Sequence, residues 1–126
     1  MAGEQILVVE DNEKNMKLLR DVLQARGYRT LEATTGARAV ALATEHGPDL
    51  VLMDIQLPDI DGVEALGRLR ADRRTASITV LAVTAQAMQG DQERFLAAGF
   101  DGYLSKPVDI VALLGTVKRH CAGRRR

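Results

Sequence analysis

Short apolar runs alternate with segments of helical period along the whole of this chain. Residues 6–9, 50–53 and 78–83 are apolar runs of strand length, and each is followed by apolar residues at spacings of three and four. Parallel strands joined by crossover helices produce this alternation, because each helix returns the chain to the edge where the next strand begins. The pattern predicts an α/β fold made of five strand–helix units.

The polarity of the strands indicates their order in the sheet. The strands at 6–9, 50–53 and 78–83 are almost wholly apolar, as expected where helices cover both faces. The strand at 28–33 carries several polar residues, and the fifth strand, at 103–104, is short, so both belong at the edges. With right-handed crossovers, this predicts a doubly wound five-stranded parallel sheet in the order 2-1-3-4-5, with helices on both faces.

Caps and apolar stripes indicate the helices. Asn12 is a possible N-cap of the first helix and Gly27 ends that helix, while residues 37–43 form an alanine-rich second helix. The fourth helix covers roughly residues 89–98. The residues predicted to face the core are Met16, Leu19, Val22 and Leu23 in helix one, Val63, Leu66 and Leu69 in helix three, and Ile110, Leu113, Leu114 and Val117 in helix five.

Composition limits the function classes. The chain has 126 residues, enough for one domain, with 17 basic and 17 acidic residues and a formal net charge of zero. Nucleic-acid binders usually carry a basic face, so nucleic-acid binding is not expected. Because no signal sequence and no apolar stretch of about 18 residues is present, we expect a cytoplasmic protein without membrane association. We assign residues 1–122 to the domain and residues 123–126 to a basic C-terminal tail.

The cysteine and histidine residues suggest no special chemistry. Cys121 is the single cysteine, so no internal disulfide forms. His46, His120 and Cys121 make no zinc pattern, and all three are expected on the surface or at helix ends.

Polar side chains stand where the strands end. Glu10 and Asp11 follow the first strand, Asp54 follows the third, Thr84 ends the fourth and Lys106 follows the fifth. The carboxyl ends of parallel strands share one edge, at which open α/β sheets bind ligands. Acids converging there repel one another by roughly 4 kcal/mol per pair at ~4 Å and an effective dielectric of ~20. A hard divalent cation such as Mg²⁺, which prefers oxygen ligands, would offset that repulsion.

These residue types suit phosphoryl transfer. Glu10 and Asp11 are the candidate metal pair. A rigid buried strand presents Asp54 at the crevice floor, as a positioned nucleophile requires, and its attack on phosphorus would give an acyl phosphate. Thr84 and Lys106 would bind phosphoryl oxygens through a hydroxyl and an ammonium. The five residues together predict a phosphoryl-transfer site.

The same residues lie in motifs that resemble those of bacterial response-regulator receiver domains from end to end. The motifs, in the family's order and spacing, are Val8-Val9-Glu10-Asp11-Asn12, Leu52-Met53-Asp54-Ile55-Gln56-Leu57-Pro58, Asp61-Gly62, Val83-Thr84-Ala85 and Lys106-Pro107. Glu10 stands where the family more often has aspartate and keeps the carboxylate. Within the family, the stretches at 12–17 and 84–88 are similar to single-domain receivers of the DivK type; they also occur in receivers attached to hybrid kinases and diguanylate cyclases.

The resemblance implies a phosphorylation site and a metal. A phosphohistidine donor, either a sensor histidine kinase or a histidine phosphotransfer protein, would phosphorylate Asp54 in the presence of Mg²⁺, for which Mn²⁺ could substitute. The implied metal ligands are Glu10, Asp11, Asp54 and the backbone carbonyl of Gln56. The implied phosphoryl contacts come from Thr84 and Lys106, and the bond between Lys106 and Pro107 would be cis.

The resemblance also implies a switch. Phosphorylation would draw Thr84 inward, and Tyr103 would move into the vacated space, changing the face formed by helix four, strand five and helix five. Gln56 and Gln86 occupy positions where the family tunes hydrolysis. The chain would then be a phosphoacceptor switch that catalyses only its own phosphorylation and dephosphorylation. It would be a monomer or a phosphorylation-dependent dimer, with a downstream protein target that the sequence does not identify.

Other interpretations stay open or are disfavoured. The chain could be a receiver domain excised from a larger hybrid kinase or multidomain regulator, or a pseudo-receiver scaffold that is not phosphorylated. A flavin carrier of the same strand order is disfavoured because Glu10 and Asp11 would repel a phosphate at the first turn. An aspartyl phosphatase would need a second acid two residues after Asp54, where Gln56 stands. Asp61 is expected to cap the third helix rather than to bind calcium.

Overall fold

The computed structural model describes residues 3–85 and 91–124. Within them, five parallel strands form one sheet in the order β2-β1-β3-β4-β5, which confirms the predicted doubly wound fold. The strands are β1 (Gln5–Val9), β2 (Arg29–Ala33), β3 (Leu50–Asp54), β4 (Thr79–Thr84) and β5 (Gly102–Ser105). The helices are α1 (Glu13–Ala25), α2 (Gly36–His46), α3 (Gly62–Ala71), α4 (Asp91–Ala98) and α5 (Ile110–Arg124). Gln86 and the predicted start of the fourth helix at residue 89 lie outside the described residues.

The sheet separates two apolar cores. Alternate residues of a strand point to opposite faces, so each central strand contributes to both cores. On one face, α1 and α5 cover the sheet with Met16, Leu19, Leu23, Leu113 and Val117. On the other face, α2, α3 and α4 cover it with Ala39, Leu42, Ala43, Ala65, Leu66, Leu69 and Phe95. Covering on both faces is the reason why β1, β3 and β4 are continuous apolar runs.

Side-chain caps begin the helices that lead away from the polar edge. The Asn12 side chain accepts a hydrogen bond from the Asn15 N–H at 3.0 Å, and the Asp61 side chain accepts one from the Glu64 N–H at 2.8 Å. Both contacts satisfy N–H groups that have no partner within the helix. The predicted caps of α1 and α3 are therefore confirmed.

Two predictions about burial were wrong. Val63 and Ile110, assigned to buried stripes, lie in the first turns of their helices and are 39% and 41% exposed. Cys121, expected on the surface or at a helix end, lies in the last turn of α5 and is buried in the α1/α5 core, 4% exposed. His46 does end α2 and is exposed.

The C-terminal end of the chain is helical as far as it is described. Helix α5 reaches Arg124 and so includes two residues of the segment assigned to the tail. Among the residues that the structure describes, no helix is long and apolar enough to cross a membrane.

Candidate functional site

The register of β1 and β3 brings two acids side by side. Val9 pairs with Met53, so Glu10 and Asp54 come one residue later on neighbouring parallel strands. Alternation along each strand places both acids on the face covered by α1 and α5. The Glu10 N–H donates to the Ala33 carbonyl at 3.0 Å and so keeps this residue in the line of the sheet. The two carboxylates are thus positioned by two neighbouring strands inside the sheet.

Lys106 lies between these two acids. Its Nζ is 2.9 Å from Glu10 Oε1 and 3.0 Å from Asp54 Oδ2. The carboxylate side chains are 2% and 4% exposed, and the lysine side chain is 19% exposed. The Lys106 N–H also donates to the Thr84 carbonyl at 2.8 Å, which ties the residue after β5 to the end of β4. Two residues predicted from separate strand ends therefore share one ammonium.

The charges in this cluster act on one another. Burial raises the pKa of Glu10, and hydrogen bonds from Lys106 and from the Asn12 N–H oppose that rise. For Lys106, burial works to lower the pKa, but the hydrogen bonds to Glu10 and Asp54 outweigh it and the pKa is raised. Lys106 is accordingly charged at neutral pH and neutralises part of the acidic cluster.

Asp11 completes a set of oxygen donors. Glu10, Asp11 and Asp54 each offer a carboxylate oxygen, and these oxygens all lie within 4.8 Å of one another. Three carboxylates against one ammonium leave two negative charges unbalanced among these four groups. An all-oxygen donor set of that charge fits a hard divalent cation such as Mg²⁺ and does not fit a metal that prefers sulfur or nitrogen.

The loop after β3 is tied to the site by backbone contacts. The Gln56 N–H donates to Asp54 Oδ1 at 3.0 Å, and the Gly62 N–H donates to the Ile55 carbonyl at 2.8 Å. A Cβ at Gly62 would lie 2.6 Å from the Asp54 carbonyl oxygen. Only glycine fits there, which is the physical reason for the Asp61-Gly62 pair at the start of α3.

The remaining predicted residues lie at the same edge or on the adjoining strand. Thr84 ends β4 and is 1% exposed. Because Ala82 belongs to the α2/α3/α4 core, alternation puts Thr84 on that same face, where Tyr103 pairs with Ala82. Tyr103 is partly buried, with its ring 6.1 Å from that of Phe95. The bond between Lys106 and Pro107 is cis.

A groove of about 360 Å³ opens beside the acids. Glu10 and Lys106 lie at one end, and the rest is lined mainly by apolar side chains of α1 and of the segment after β5. Among these, Leu18 is 43% exposed. The groove leads from the surface to Glu10 and Lys106.

One contact near the site has no signal in the sequence. Asp59, which looks like an ordinary turn residue, accepts hydrogen bonds from the Gly36 and Ala37 N–H groups at 2.8 and 2.9 Å. Its partners precede it by more than twenty residues, so neither periodicity nor a local capping pattern could have indicated the contact.

Comparison with known proteins gives a consistent result. The pattern of the family described as response regulator receiver domain matches residues 6–118. The chain is 46% identical over 117 residues to the polar-differentiation response regulator DivK of Brucella ovis and to that of Brucella anthropi, covering 93% of this chain and 95% of each relative.

Solved structures resemble it as well. One is the receiver domain of a sensor histidine kinase from Pseudomonas aeruginosa, with a magnesium ion coordinated in its active site cleft. It has a TM-score of 0.88 and 37% identity and covers 95% of this chain and 98% of that one. Another is a CheY-like response regulator receiver domain protein from Methanospirillum hungatei, with a TM-score of 0.87 and 29% identity, covering 96% of this chain and 95% of that one.

Proposed function

The chain belongs to the response regulator receiver domain family of two-component signalling, and we propose that Asp54 is its phosphoacceptor. The observation that carries this proposal is the buried cluster in which Lys106 bridges Glu10 and Asp54 at 2.9 and 3.0 Å. A carboxylate held by a rigid strand beside a fixed ammonium is prepared to attack phosphorus.

The proposed reaction moves a phosphoryl group from nitrogen to oxygen. The phosphorus–nitrogen bond of a phosphohistidine whose other ring nitrogen carries a proton breaks while one carboxylate oxygen of Asp54 bonds to phosphorus, and the donor histidine leaves as neutral imidazole. Lys106 would exchange its contact with Asp54 for one with a phosphoryl oxygen, because the attacking carboxylate loses its charge as the acyl phosphate forms. Hydrolysis returns the carboxylate and inorganic phosphate. The protein would thus be a switch that catalyses only its own phosphorylation and dephosphorylation.

The proposed metal ligands are the carboxylates of Glu10, Asp11 and Asp54 and the backbone carbonyl of Gln56. Magnesium, when bound, would neutralise charge on the transferring phosphoryl oxygens. Manganese prefers the same oxygen donors and is the proposed substitute. The proximity of the three carboxylate oxygens supports this assignment, because a divalent cation among them would offset the repulsion that Lys106 alone does not balance.

The groove beside Glu10 and Lys106 is the proposed docking surface for the phosphoryl donor. It joins apolar side chains of α1, including Leu18, to the buried carboxylates, so a partner helix seated there could present a histidine to Asp54. A sensor histidine kinase or a histidine phosphotransfer protein is the proposed donor. The cytoplasm is the proposed location of this protein.

The proposed output begins at Thr84 and Tyr103. A phosphoryl group adds a charge of about −1.5 to −2 and new acceptor oxygens beside Thr84. Movement of the Thr84 hydroxyl toward them would open space on the face that also holds Tyr103. Because the Tyr103 ring lies 6.1 Å from the ring of Phe95 in α4, movement of Tyr103 would change the packing at the face formed by α4, β5 and α5. A downstream protein or a second phosphorylated copy would bind that face.

Incubation with acetyl phosphate and Mg²⁺ tests the assignment. Intact-mass analysis should show one added phosphoryl group on the wild type and none on Asp54→Asn, which keeps the shape of the side chain. Omission of Mg²⁺ should abolish the labelling. A wild type that stays unlabelled in the presence of Mg²⁺ would indicate a pseudo-receiver scaffold instead, and labelling that persists in the variant would place the phosphoacceptor elsewhere.

A further inference from the structure

Asp59 links the loop between β3 and α3, residues 55–61, to the first turn of α2 by hydrogen bonds. Its Oδ1 accepts the Gly36 N–H at 2.8 Å, and its Oδ2 accepts the Ala37 N–H at 2.9 Å. Using both oxygens fixes the orientation of the carboxylate as well as its position. These backbone hydrogen bonds lower the pKa of Asp59 to about 2, so the carboxylate is charged throughout the physiological range.

The fit between the loop and the helix is close. A Cβ at Gly36 would overlap Ile60 Cγ1, so the absence of a side chain at Gly36 lets Ile60 lie against the first turn of the helix. Ile60 and Leu57 also pack on the core beneath. The loop therefore meets α2 through a polar contact at Asp59 and an apolar one beside it.

Helix α2 has a local cap in addition to Asp59, which accepts the N–H groups of its first two residues, Gly36 being buried and Ala37 exposed. Thr35, the residue that precedes the helix, accepts the Arg38 N–H at 3.1 Å and performs that role locally. The Ala37 N–H lies at an exposed residue, where water would satisfy it in the absence of Asp59. Elsewhere the loop is held by the Gln56 N–H at Asp54, by the Gly62 N–H at the Ile55 carbonyl and by the packing of Leu57 and Ile60 on the core. Asp59 adds the polar contact that joins the loop to α2.

We propose that Asp59 is a positioning residue that holds the Gln56 carbonyl where the metal ion needs it. The proposal rests on the proposed function, in which that carbonyl is a metal ligand. Gln56 is three residues before Asp59 in the same loop, and its side chain is exposed, so its carbonyl is oriented by the backbone and not by packing of its own side chain. Fixing the loop at Asp59 restricts the rotation of the peptide groups in between.

The variants Asp59→Ala and Thr35→Ala separate this role from ordinary helix capping. Each variant removes the acceptors of N–H groups in the first turn of α2, but only Asp59→Ala also breaks the contact between α2 and the loop. Asp59→Asn keeps one oxygen acceptor and serves as the conservative variant. Gly36→Ala disrupts the packing of the loop on α2 by a change in the helix, because its Cβ would displace Ile60.

Two measurements follow on each variant. Amide hydrogen exchange by NMR on the metal-free protein should show faster exchange at Gln56 and Gly62 in Asp59→Ala and in Gly36→Ala, and unchanged exchange at both in Thr35→Ala. Titration calorimetry should show weaker Mg²⁺ binding in Asp59→Ala by roughly three- to tenfold. That is less than the ~10–100-fold loss on removing a group bonded directly to a ligand, since Asp59 acts through three residues of backbone. Asp59→Asn should recover part of the loss, and Thr35→Ala should stay within about twofold of the wild type.

The outcomes distinguish this inference from the proposed function. If the wild type binds Mg²⁺ and Asp59→Ala binds it equally well, or if Thr35→Ala loses as much affinity, the positioning role is wrong. If no variant and no wild type binds Mg²⁺, the proposed function fails. Amide exchange at Gln56 in the metal-free protein then still tests whether Asp59 restrains the loop, since an unchanged exchange rate in Asp59→Ala refutes that claim.

Discussion

Replacing Lys106 by methionine removes the ammonium from between two buried carboxylates and keeps a side chain of similar length. The carboxylates of Glu10 and Asp54 are only 2% and 4% exposed, so water cannot fully replace the lost hydrogen bonds. Removing one partner of a buried ion pair typically costs about 3–5 kcal/mol. Because solvent reaches the lysine, which is 19% exposed, we expect the lower end of that range. A loss of about 3 kcal/mol at neutral pH without divalent ions corresponds to roughly 10 °C in Tm for a domain of this size.

The loss should depend on pH in a defined direction. Burial already raises the pKa of Glu10 above its ordinary value of 4.5, and the hydrogen bond to Lys106 opposes that rise. In the variant the opposition is gone, so the pKa rises further and the folded state binds a proton more tightly than the unfolded state. The free energy of unfolding then decreases as the pH rises from 4.5 through the raised pKa and levels off above it. The deficit of Lys106→Met relative to the wild type should therefore be smallest in acid.

Urea unfolding followed by far-UV circular dichroism measures this loss, since the chain has no tryptophan for fluorescence. Lys17→Met is the matched control: Lys17 forms an exposed pair with Asp21 at 2.7 Å, and its loss should cost about 0.5 kcal/mol or less. Mg²⁺ should restore part of the stability of Lys106→Met, because a cation among the carboxylates replaces the missing charge. The reasoning is refuted if the two lysine variants lose equal stability, or if the deficit of Lys106→Met grows in acid.

Three further outcomes are expected. Gly62→Ala should lower the free energy of unfolding in urea by about 2 kcal/mol or more and should label poorly with acetyl phosphate, because its Cβ would lie 2.6 Å from the Asp54 carbonyl oxygen. The control is Gly67→Ala on the same helix, whose Cβ would have nothing within 4 Å. Its free energy of unfolding should stay unchanged or rise by up to about 1 kcal/mol. Asp59 has a pKa of about 2 against an ordinary 3.8, so the stability it contributes is present above pH 3.8 and is lost as the pH falls toward 2. Between these pH values the free energy of unfolding should fall less steeply with pH in Asp59→Asn than in the wild type. Identical slopes would contradict the assignment. Cys121→Ser should cost about 1–3 kcal/mol through burial of a hydroxyl in an apolar core, whereas an equilibrium melt with no shift would show that this position is solvated.

Much of the site was predictable because it depends on local patterns. Apolar runs mark β1, β3 and β4, and the polar residue after each run must emerge at the shared edge of a parallel sheet. Glu10 and Asp54 were therefore expected to converge. Their sharing of one ammonium was not predictable, since it follows from the register of Val9 with Met53 and from the path of the chain after β5.

Burial at the margins of the helices was predicted less well. Helical spacing indicates which residues share a stripe, but not where the sheet beneath that stripe ends. Val63 and Ile110 continue the apolar spacing into the first turn and are exposed there. Cys121 lies at the other end of α5, where a lone cysteine gave no reason to expect burial.

The sequence alone thus determined the strand order, the edge of the sheet that carries the chemistry and the residue types that meet there, because each is written in short-range periodicity and polarity. Tertiary structure alone decided the bridge at Lys106, the depth at which Cys121 is buried and the attachment of Asp59 to α2. These contacts join residues distant in the chain, and only the packing of one element on another brings their atoms within bonding distance.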